Sequence, residues 1–430
     1  MISFEPIQLK DEVLIALEQF SFTEGEIDCI DFDQLLDEDC YDEYDAIITE
    51  NSEVCLCIGE GEYPRTTLKY LLKVSRGWKD TKLNEKQNYA KSKNEVEFLL
   101  NVNDYNTIMF LDGLKESTNS IVQDTLEGTE FWHSQITVNQ KNYHISLFNG
   151  LCIYHLLVQE SGNYDEYLPA YSEYDYFVRI TSEDEVDIGI ADSLAVSFVF
   201  ELHARHNLVI SFSEGRTDPE APYYDESELS RQNLEIFPLL YGRGIKELLE
   251  LYNTAKTTYD IDYKILGFTK VIEYISPTIA KEELYECVRL KLTSPVVFTP
   301  TSEFVNELGE IYKKHQNDVS KDSELIRLAV STVIELSSVW NDLPAYIKPK
   351  NSECIESLDD SLKESCTENL ITAIYDTRNE IAHAKANYEK KGKECPDKNK
   401  EQFSKILDII AVRCIRWFAM QSDEKRVVLS

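Results

Sequence analysis

The chain has 430 residues, 43% of them hydrophobic, and 78 acidic against 43 basic side chains give a formal net charge of −35 at pH 7. That length accommodates two domains with sizeable cores, and so acidic a balance argues against general nucleic-acid affinity. No run of about 18 apolar residues occurs, and the start, MISFEPIQLKDEV, lacks a basic region followed by an apolar core, so a soluble cytoplasmic protein without a membrane segment is expected.

Residues 1 to about 60 are densely acidic around DFDQLLDEDCYDEYD, with a short apolar run at 54–58 that reads as a strand. An EF-hand loop with its central glycine is absent, so the acids read as a solvated surface. Cys55 and Cys57 alternate with apolar residues, as strand packing requires, and no second ligand pair accompanies them. The ten cysteines contain no CxxC pair and read as free thiols.

From about 94 to 213 the chain turns β-like, with a hairpin over Ile136 to Phe148 around Asn139 to Asn142. Further strands are expected at Leu151 to Val158, Tyr176 to Ile180, Ala195 to Leu202 and Leu208 to Phe212, all rich in β-branched and aromatic residues. Few helices are expected there. His203 and His206 form a close pair after Glu201, but the HExxH arrangement is missing and a strand end does not bring both rings to one face, so no metal site is assigned. Gly59-Glu-Gly61 is too short and acidic to cradle phosphate, and no P-loop, GxGxxG or GxSxG elbow is present.

The segment SEGRTDPEAPYYDE, 213–226, concentrates Gly, Pro and acids and marks a boundary. The fold class expected is α+β: a β-rich acidic N-terminal domain over residues 1–213, a linker over 214–230 and an all-α helical domain over 231–430. Leu239, Leu240, Ile245, Leu248, Leu249 and Tyr252 mark one helix; Ile265, Phe268, Val271, Ile272 and Ile275 mark the next, which ends before Pro277. Shorter helices follow from Ala280 to Leu292, from an N-cap at Thr301, and from about Asp322 to Val339. Ser361-x-x-Glu364 resembles a capping box. The last helix, about Lys400 to Met420, gathers Phe403, Ile406, Leu407, Ile410, Cys414, Trp417 and Phe418 on one face and is expected to pack on the helix before it.

That preceding helix carries Arg378-Asn379-Glu380-Ile381-Ala382-His383. At about 100° per residue, Leu370, Ile371, Ile374, Ile381 and Ala382 mark its buried side, and Arg378 falls near the middle of that side. A guanidinium there needs an anion or a partly wet cleft. Asn379 and His383 are four apart, so the amide is expected to orient the imidazole. Together Arg378 and His383 supply a phosphate fork and a proton carrier. Beyond them Lys385, Lys390, Lys391 and Lys393 make a basic loop. Residues 371–430 hold 12 basic and 9 acidic side chains, a net of +3, against −38 for residues 1–370.

This RNxxxH string resembles the signature of the HEPN superfamily, and the stretch LLYGRGIKELLELYNTAKTTYDIDYKILGFTKVIEYIS resembles, more loosely, the opening helices of abortive-infection HEPN proteins. The resemblance implies a helical bundle acting as a metal-independent endoribonuclease without cofactor, of the toxin or antiviral-defence kind. It also implies a homodimer formed through the C-terminal helices, with Arg378, Asn379 and His383 catalytic. Lys385, Lys390, Lys391 and Lys393 are expected to bind RNA, tRNA among the candidate substrates, and the acidic N-terminal domain to sense a protein or phage-derived trigger. The alternative is a non-catalytic HEPN-like dimerisation or interaction module in which Arg378 and His383 are structural.

Overall fold

The computed structural model describes residues 3–4, 8–22, 47–56, 64–86, 88–102, 104–116, 123–125, 128–165, 168–213, 238–319, 321–349, 354–355, 358–383 and 391–428. The fold is α+β, a sheet-bearing N-terminal unit followed by a helical one, and the chain divides into compact units over 1–239 and 240–430. No helix among the described residues is long and apolar enough to cross a membrane. The expected linker, 214–230, lies outside the described residues, as do the acidic segment 23–46 and Cys57.

In the first unit, β1 (Ser3–Phe4) pairs in parallel with β2 (Ile47–Ile48), with α1 (Leu9–Gln19) between them in sequence. Next come a small hairpin of β3 (Glu53–Cys55) and β4 (Arg65–Thr67), and α2 (Leu68–Gly77), whose Tyr70 N–H is capped by the Thr67 side chain. The main sheet uses β5 (Lys82–Asn84), β6 (Tyr89–Lys91), β7 (Glu95–Asn101), β8 (Gln123–Thr125), β9 (Gly128–Val138), β10 (Lys141–Gly150), β11 (Tyr176–Thr181) and β12 (Ser211–Phe212). Their spatial order is β5-β6-β7-β11-β10-β9-β8, with β12 also on β7 and every pairing antiparallel. The β9–β10 turn is where the sequence places it: Asn139 and Gln140 have φ of 51° and 67°, the left-handed pair that a two-residue hairpin loop requires.

The period-2 alternation of β7 separates two cores. Leu99, with Phe148 and Phe177, faces α1, α2 and α4 (Ile153–Ser161), while Phe98 and Leu100 face the other way with Ile145, Val178 and Leu194 of α5 (Ile188–His206). Both sides of the sheet therefore carry helices. Together with α3 (Tyr105–Glu116), the unit has five α-helices among the described residues, more than the sequence reading expects. The run Leu151 to Val158 is no strand: from Ile153 it is helix α4, capped by Cys152, and Ala195 to Leu202 is the interior of α5. A continuous apolar run buried on every side lacks a period, so strand and helix look alike in it. Of Leu208 to Phe212 only Ser211–Phe212 is strand.

One charged cluster sits inside this unit. Arg179 on β11 pairs with Glu95 and Glu97 on β7, each at 3.1 Å, and its guanidinium lies 3.3 Å from the centroid of the Phe148 ring. Glu97 also accepts the Tyr154 N–H at 3.0 Å, which ties the first turn of α4 to the sheet. Burial pushes the Glu97 carboxyl up to about 7 against the pull of Arg179, with Glu95 adding to the rise.

The helical unit is built around α7 (Ile261–Leu292), a 32-residue helix on which α6 (Ile245–Thr257), α8 (Ser302–Val319), α9 (Asp322–Val333), α10 (Asp360–Ala382) and α11 (Lys400–Met420) pack. It continues through Pro277, so the stretch before the expected break and the separate helix from Ala280 form one element. An interior proline costs roughly 3 kcal/mol, but Val271, Ile272, Ile275 and Ile279 are all buried on either side of it, and each fully buried aliphatic side chain contributes about 1.5–3 kcal/mol. Gly267 lets α6 approach: a Cβ there would lie 2.6 Å from the Cβ of Ala255. The last helix has the expected bounds, and its main packing is on α7 rather than on the helix before it.

Other boundaries shift. Leu239 belongs to the core of the first unit, and helix α6 starts only at Ile245, after Gly244. Thr301 does cap α8, accepting the Phe304 N–H at 3.3 Å. Helix α9 stops at Val333 and a 3-10 turn over Leu336–Asp342 follows. Helix α10 is capped by Asp359, which accepts the Leu362 N–H, two residues before the capping box read from Ser361.

The raised Glu97 carboxyl makes stability depend on pH. Folding favours its protonated form, so its contribution is full below the usual carboxylate range and is lost as pH rises through about 7. Glu97→Gln mimics the neutral form. In thermal or urea unfolding from pH 5 to 8, the stability of wild type relative to this variant should fall with rising pH, by up to about 3 kcal/mol, and a pH-independent difference would contradict it.

Candidate functional site

Helix α10 delivers the RNxxxH residues. Its inner face holds Leu370, Ile371, Ala373 and Ile374 against the bundle, and Asp376, Thr377 and Asn379 are buried as well. The apolar face does not extend to the helix end as read from sequence: Ile381 is half-buried, and Ala382 and His383 are exposed. The helix stops at Ala382, with His383 as its C-cap and the His383 N–H bonding the Asn379 carbonyl at 2.9 Å.

Arg378 does find an anion. Its Nε lies 2.8 Å from Oε1 of Glu273 on α7, with side-chain exposures of 22% and 28%, so the pair is partly wet. The Nε–H is not aimed at that oxygen, which makes the attraction chiefly Coulombic. Burial raises the Glu273 carboxyl above its ordinary value; Arg378 opposes this, Asp322 adds to it and Lys270 opposes it.

The Asn379 amide has a different partner from the expected one. Its Oδ1 accepts from Arg378 Nη1 at 2.9 Å, and no bond joins the amide to the His383 imidazole among the described residues. Adjacent residues on a helix diverge by about 100°, but Arg is long enough to fold back to its neighbour, which spacing arguments built on i,i+4 overlook. The chain thus presents a guanidinium flanked by Glu273 and Asn379 and, five residues on, an imidazole at an exposed helix end.

Of the basic loop, residues 391–393 are among the described ones. Lys385 and Lys390 lie outside the described residues. Lys391 reaches back to α10, its Nζ 3.2 Å from Asp376 Oδ1 and 5.4 Å from the Tyr375 ring centroid, while Lys393 is exposed. The loop is stitched by Glu394, which accepts the N–H groups of Lys391 and Gly392, and by Thr377 Oγ1, which accepts the Cys395 N–H at 2.8 Å. Lys400, at the start of α11, bridges Asp262 of α7 and Asp397. Arg413 donates to Ser338 Oγ at 2.7 Å. Sequence reasoning missed Glu273 altogether; its only trace was an acid between Ile272 and Tyr274 in an otherwise apolar stretch.

A second constellation has the outline of a Cys-His-Asp triad: Cys152 Sγ lies 3.4 Å from His155 Nδ1, and His155 Nε2 lies 3.2 Å from Asp175 Oδ2. Its hydrogen bonding speaks for a helix cap. His155 Nδ1 accepts the Cys152 N–H at 3.2 Å, so the proton sits on Nε2 facing Asp175 and the lone pair that would take a thiol proton is used. Burial, with Glu97 adding, holds the Cys152 thiol well above its usual range, the opposite of an activated nucleophile.

His203 and His206 also sit on a helix, the last turn of α5, rather than at a strand end. His203 Nε2 clasps the backbone of Ile210 at 2.7 Å, and His206 stacks on Trp132 at 4.8 Å between centroids, its imidazole driven down to about 4 by burial and by Arg205. Among the described residues, no three His, Cys, Asp or Glu side chains are grouped to hold a metal ion.

Comparison with known proteins finds no matching family model, no matching curated protein and no matching solved structure.

The Thr377–Cys395 bond is the buried anchor of the loop beside the motif. Thr377→Val keeps the shape but orphans the Cys395 N–H, a change that should destabilise the helical unit by about 1–3 kcal/mol. Hydrogen exchange at Cys395 should speed up selectively, and protection equal to wild type would count against an anchoring role.

Proposed function

We propose that the helical unit is a metal-independent endoribonuclease of the HEPN kind, acting in a toxin-like or abortive-infection defence system on RNA, tRNA included. The observation that carries the reading is the pairing, on one helix, of a partly wet guanidinium at Arg378 with an exposed imidazole at His383. RNA carries its own nucleophile, so an enzyme needs only a base, an acid and positive charge at the phosphate. His383 moves the proton of the 2′-hydroxyl, and Arg378 stabilises the phosphate as charge builds on it. A 2′,3′-cyclic phosphate and a free 5′-hydroxyl are then the products. Asn379 supports Arg378 in this scheme and does not react.

One Arg/His set supplies either the base or the acid, so the full site belongs to a homodimer formed through the C-terminal helices. The charge distribution supports placing RNA on this unit: residues 240–430 carry 27 basic and 31 acidic side chains, a net of −4, whereas residues 1–239 carry 16 and 47, a net of −31. The acidic unit repels RNA and is assigned to sensing a protein or phage-derived trigger. The Arg378–Glu273 pair favours a second reading, a non-catalytic interaction module in which both residues are structural.

Purified protein should cleave RNA in EDTA, leaving 2′,3′-cyclic phosphate ends, and His383→Ala and Arg378→Ala should each lower the rate by at least about a hundredfold, roughly 2.7 kcal/mol in the barrier, with the dimer and helical content intact. Asn379→Ala should cost less. No cleavage by wild type, or full cleavage by His383→Ala, would leave the interaction-module reading standing.

The exposed Lys393 and its neighbours Lys390 and Lys391 are assigned to phosphates rather than bases. Neutralising all three should weaken binding to unrelated RNA sequences alike and flatten the dependence of affinity on salt. An unchanged salt slope would remove the loop from the interface.

A further inference from the structure

Among the described residues, the Glu273 carboxylate is the one group that reaches Arg378 from another helix, and its position is costly. It lies between Ile272 and Tyr274, both buried, on the central helix α7, with Ile275 also fully covered. A partly covered carboxylate there is stabilised by a cation beside it. Arg378 in turn is bounded on two sides: Nε lies 2.8 Å from Glu273 Oε1 without its N–H aimed at that oxygen, and Nη1 donates to Asn379 at 2.9 Å. Nη2 has no partner among the described residues.

The hydrogen bond at Nη1 and the Coulombic pull of the carboxylate beside Nε hold the guanidinium from two sides and leave the Nη2 edge without a hydrogen bond among the described residues. We propose that Glu273 is a positioning residue for Arg378, holding the guanidinium so that its Nη2 edge is presented to the scissile phosphate. This rests on the ribonuclease reading of the site.

The physical argument separates positioning from simple attraction. Pairing with a carboxylate lowers the net charge that Arg378 offers a phosphate, so Glu273 does not raise ground-state affinity. What it supplies is orientation: a catalytic group must be held within roughly 0.5 Å of its productive geometry, and a free arginine loses that order at every turnover. The benefit therefore appears in kcat and not in KM. Asn379, the other holder, comes from the same helix, so α7 and α10 together set the guanidinium. The charged groups around Glu273 are Arg378, Asp322 at the start of α9, and Lys270 one turn earlier on α7.

The test is steady-state cleavage of one RNA oligonucleotide by the full-length protein. Glu273→Gln keeps the size of the side chain but drops the charge, and kcat should fall about tenfold with KM within about threefold of wild type. Glu273→Ala removes both the charge and the side chain that flanks Nε, and kcat should fall about a hundredfold. In an Arg378→Ala background neither change should lower kcat further. Circular dichroism melts accompany each variant, and if the alanine variant is not folded the glutamine variant carries the result. Losses that add to those of Arg378→Ala, a change in KM alone, or an unchanged kcat overturn the proposal, and a rise in kcat would identify Glu273 as a latch that phosphate displaces. Absence of cleavage by wild type is a different failure, that of the ribonuclease reading itself, and the positioning role falls with it.

Discussion

A guanidinium leaves water only in the company of an anion, and both units of this protein are arranged around that constraint. Arg179 lies over the Phe148 ring in the interior of the sheet unit because Glu95 and Glu97 flank it on the neighbouring strand. Two carboxylates share one cation there, so one of them is driven toward its neutral form, and Glu97, fully buried, is the one that burial selects. In the helical unit the balance is one to one. Among the described residues Arg378 pairs with one carboxylate, that of Glu273, the pair keeps some contact with water, and the guanidinium retains an edge that neither Glu273 nor Asn379 occupies. The same physics gives a sealed cluster in one case and a partly wet one in the other.

The two clusters also differ in what surrounds them. Around Arg179 the cations are outnumbered, in keeping with the −31 of residues 1–239, and the Cys152-His155-Asp175 row beside it is committed to capping helix α4. Around Arg378 the balance is close to neutral, with Lys391 and Lys400 near the ends of helices that the motif loop connects. A polyanion meets far less repulsion there.

The helical unit shows how packing overrides local preference. Proline in the middle of α7 removes a hydrogen bond and opposes the helix, yet the helix continues because Ile272, Ile275 and Ile279 are worth more buried than Pro277 costs. The same inequality explains α4 and α5. Their apolar runs have strong β character residue by residue, and only the layers of sheet and helix around them decide that they coil.

The sequence by itself determined the order of a sheet-bearing part before a helical part, the Asn139–Gln140 hairpin, the bounds of the last helix, the cap at Thr301 and the placement of Arg378 on a largely buried helix face. Each of these rests on a period, a turn residue or a cap, which are local signals written within a few positions. Tertiary structure alone decided that Glu273 is the anion for Arg378, that Asn379 serves the arginine and not His383, and that Leu151 to Val158 and Ala195 to Leu202 are helices. Those outcomes join residues up to about a hundred positions apart, or depend on what covers an apolar run on its second side, and neither leaves a periodic trace along the chain.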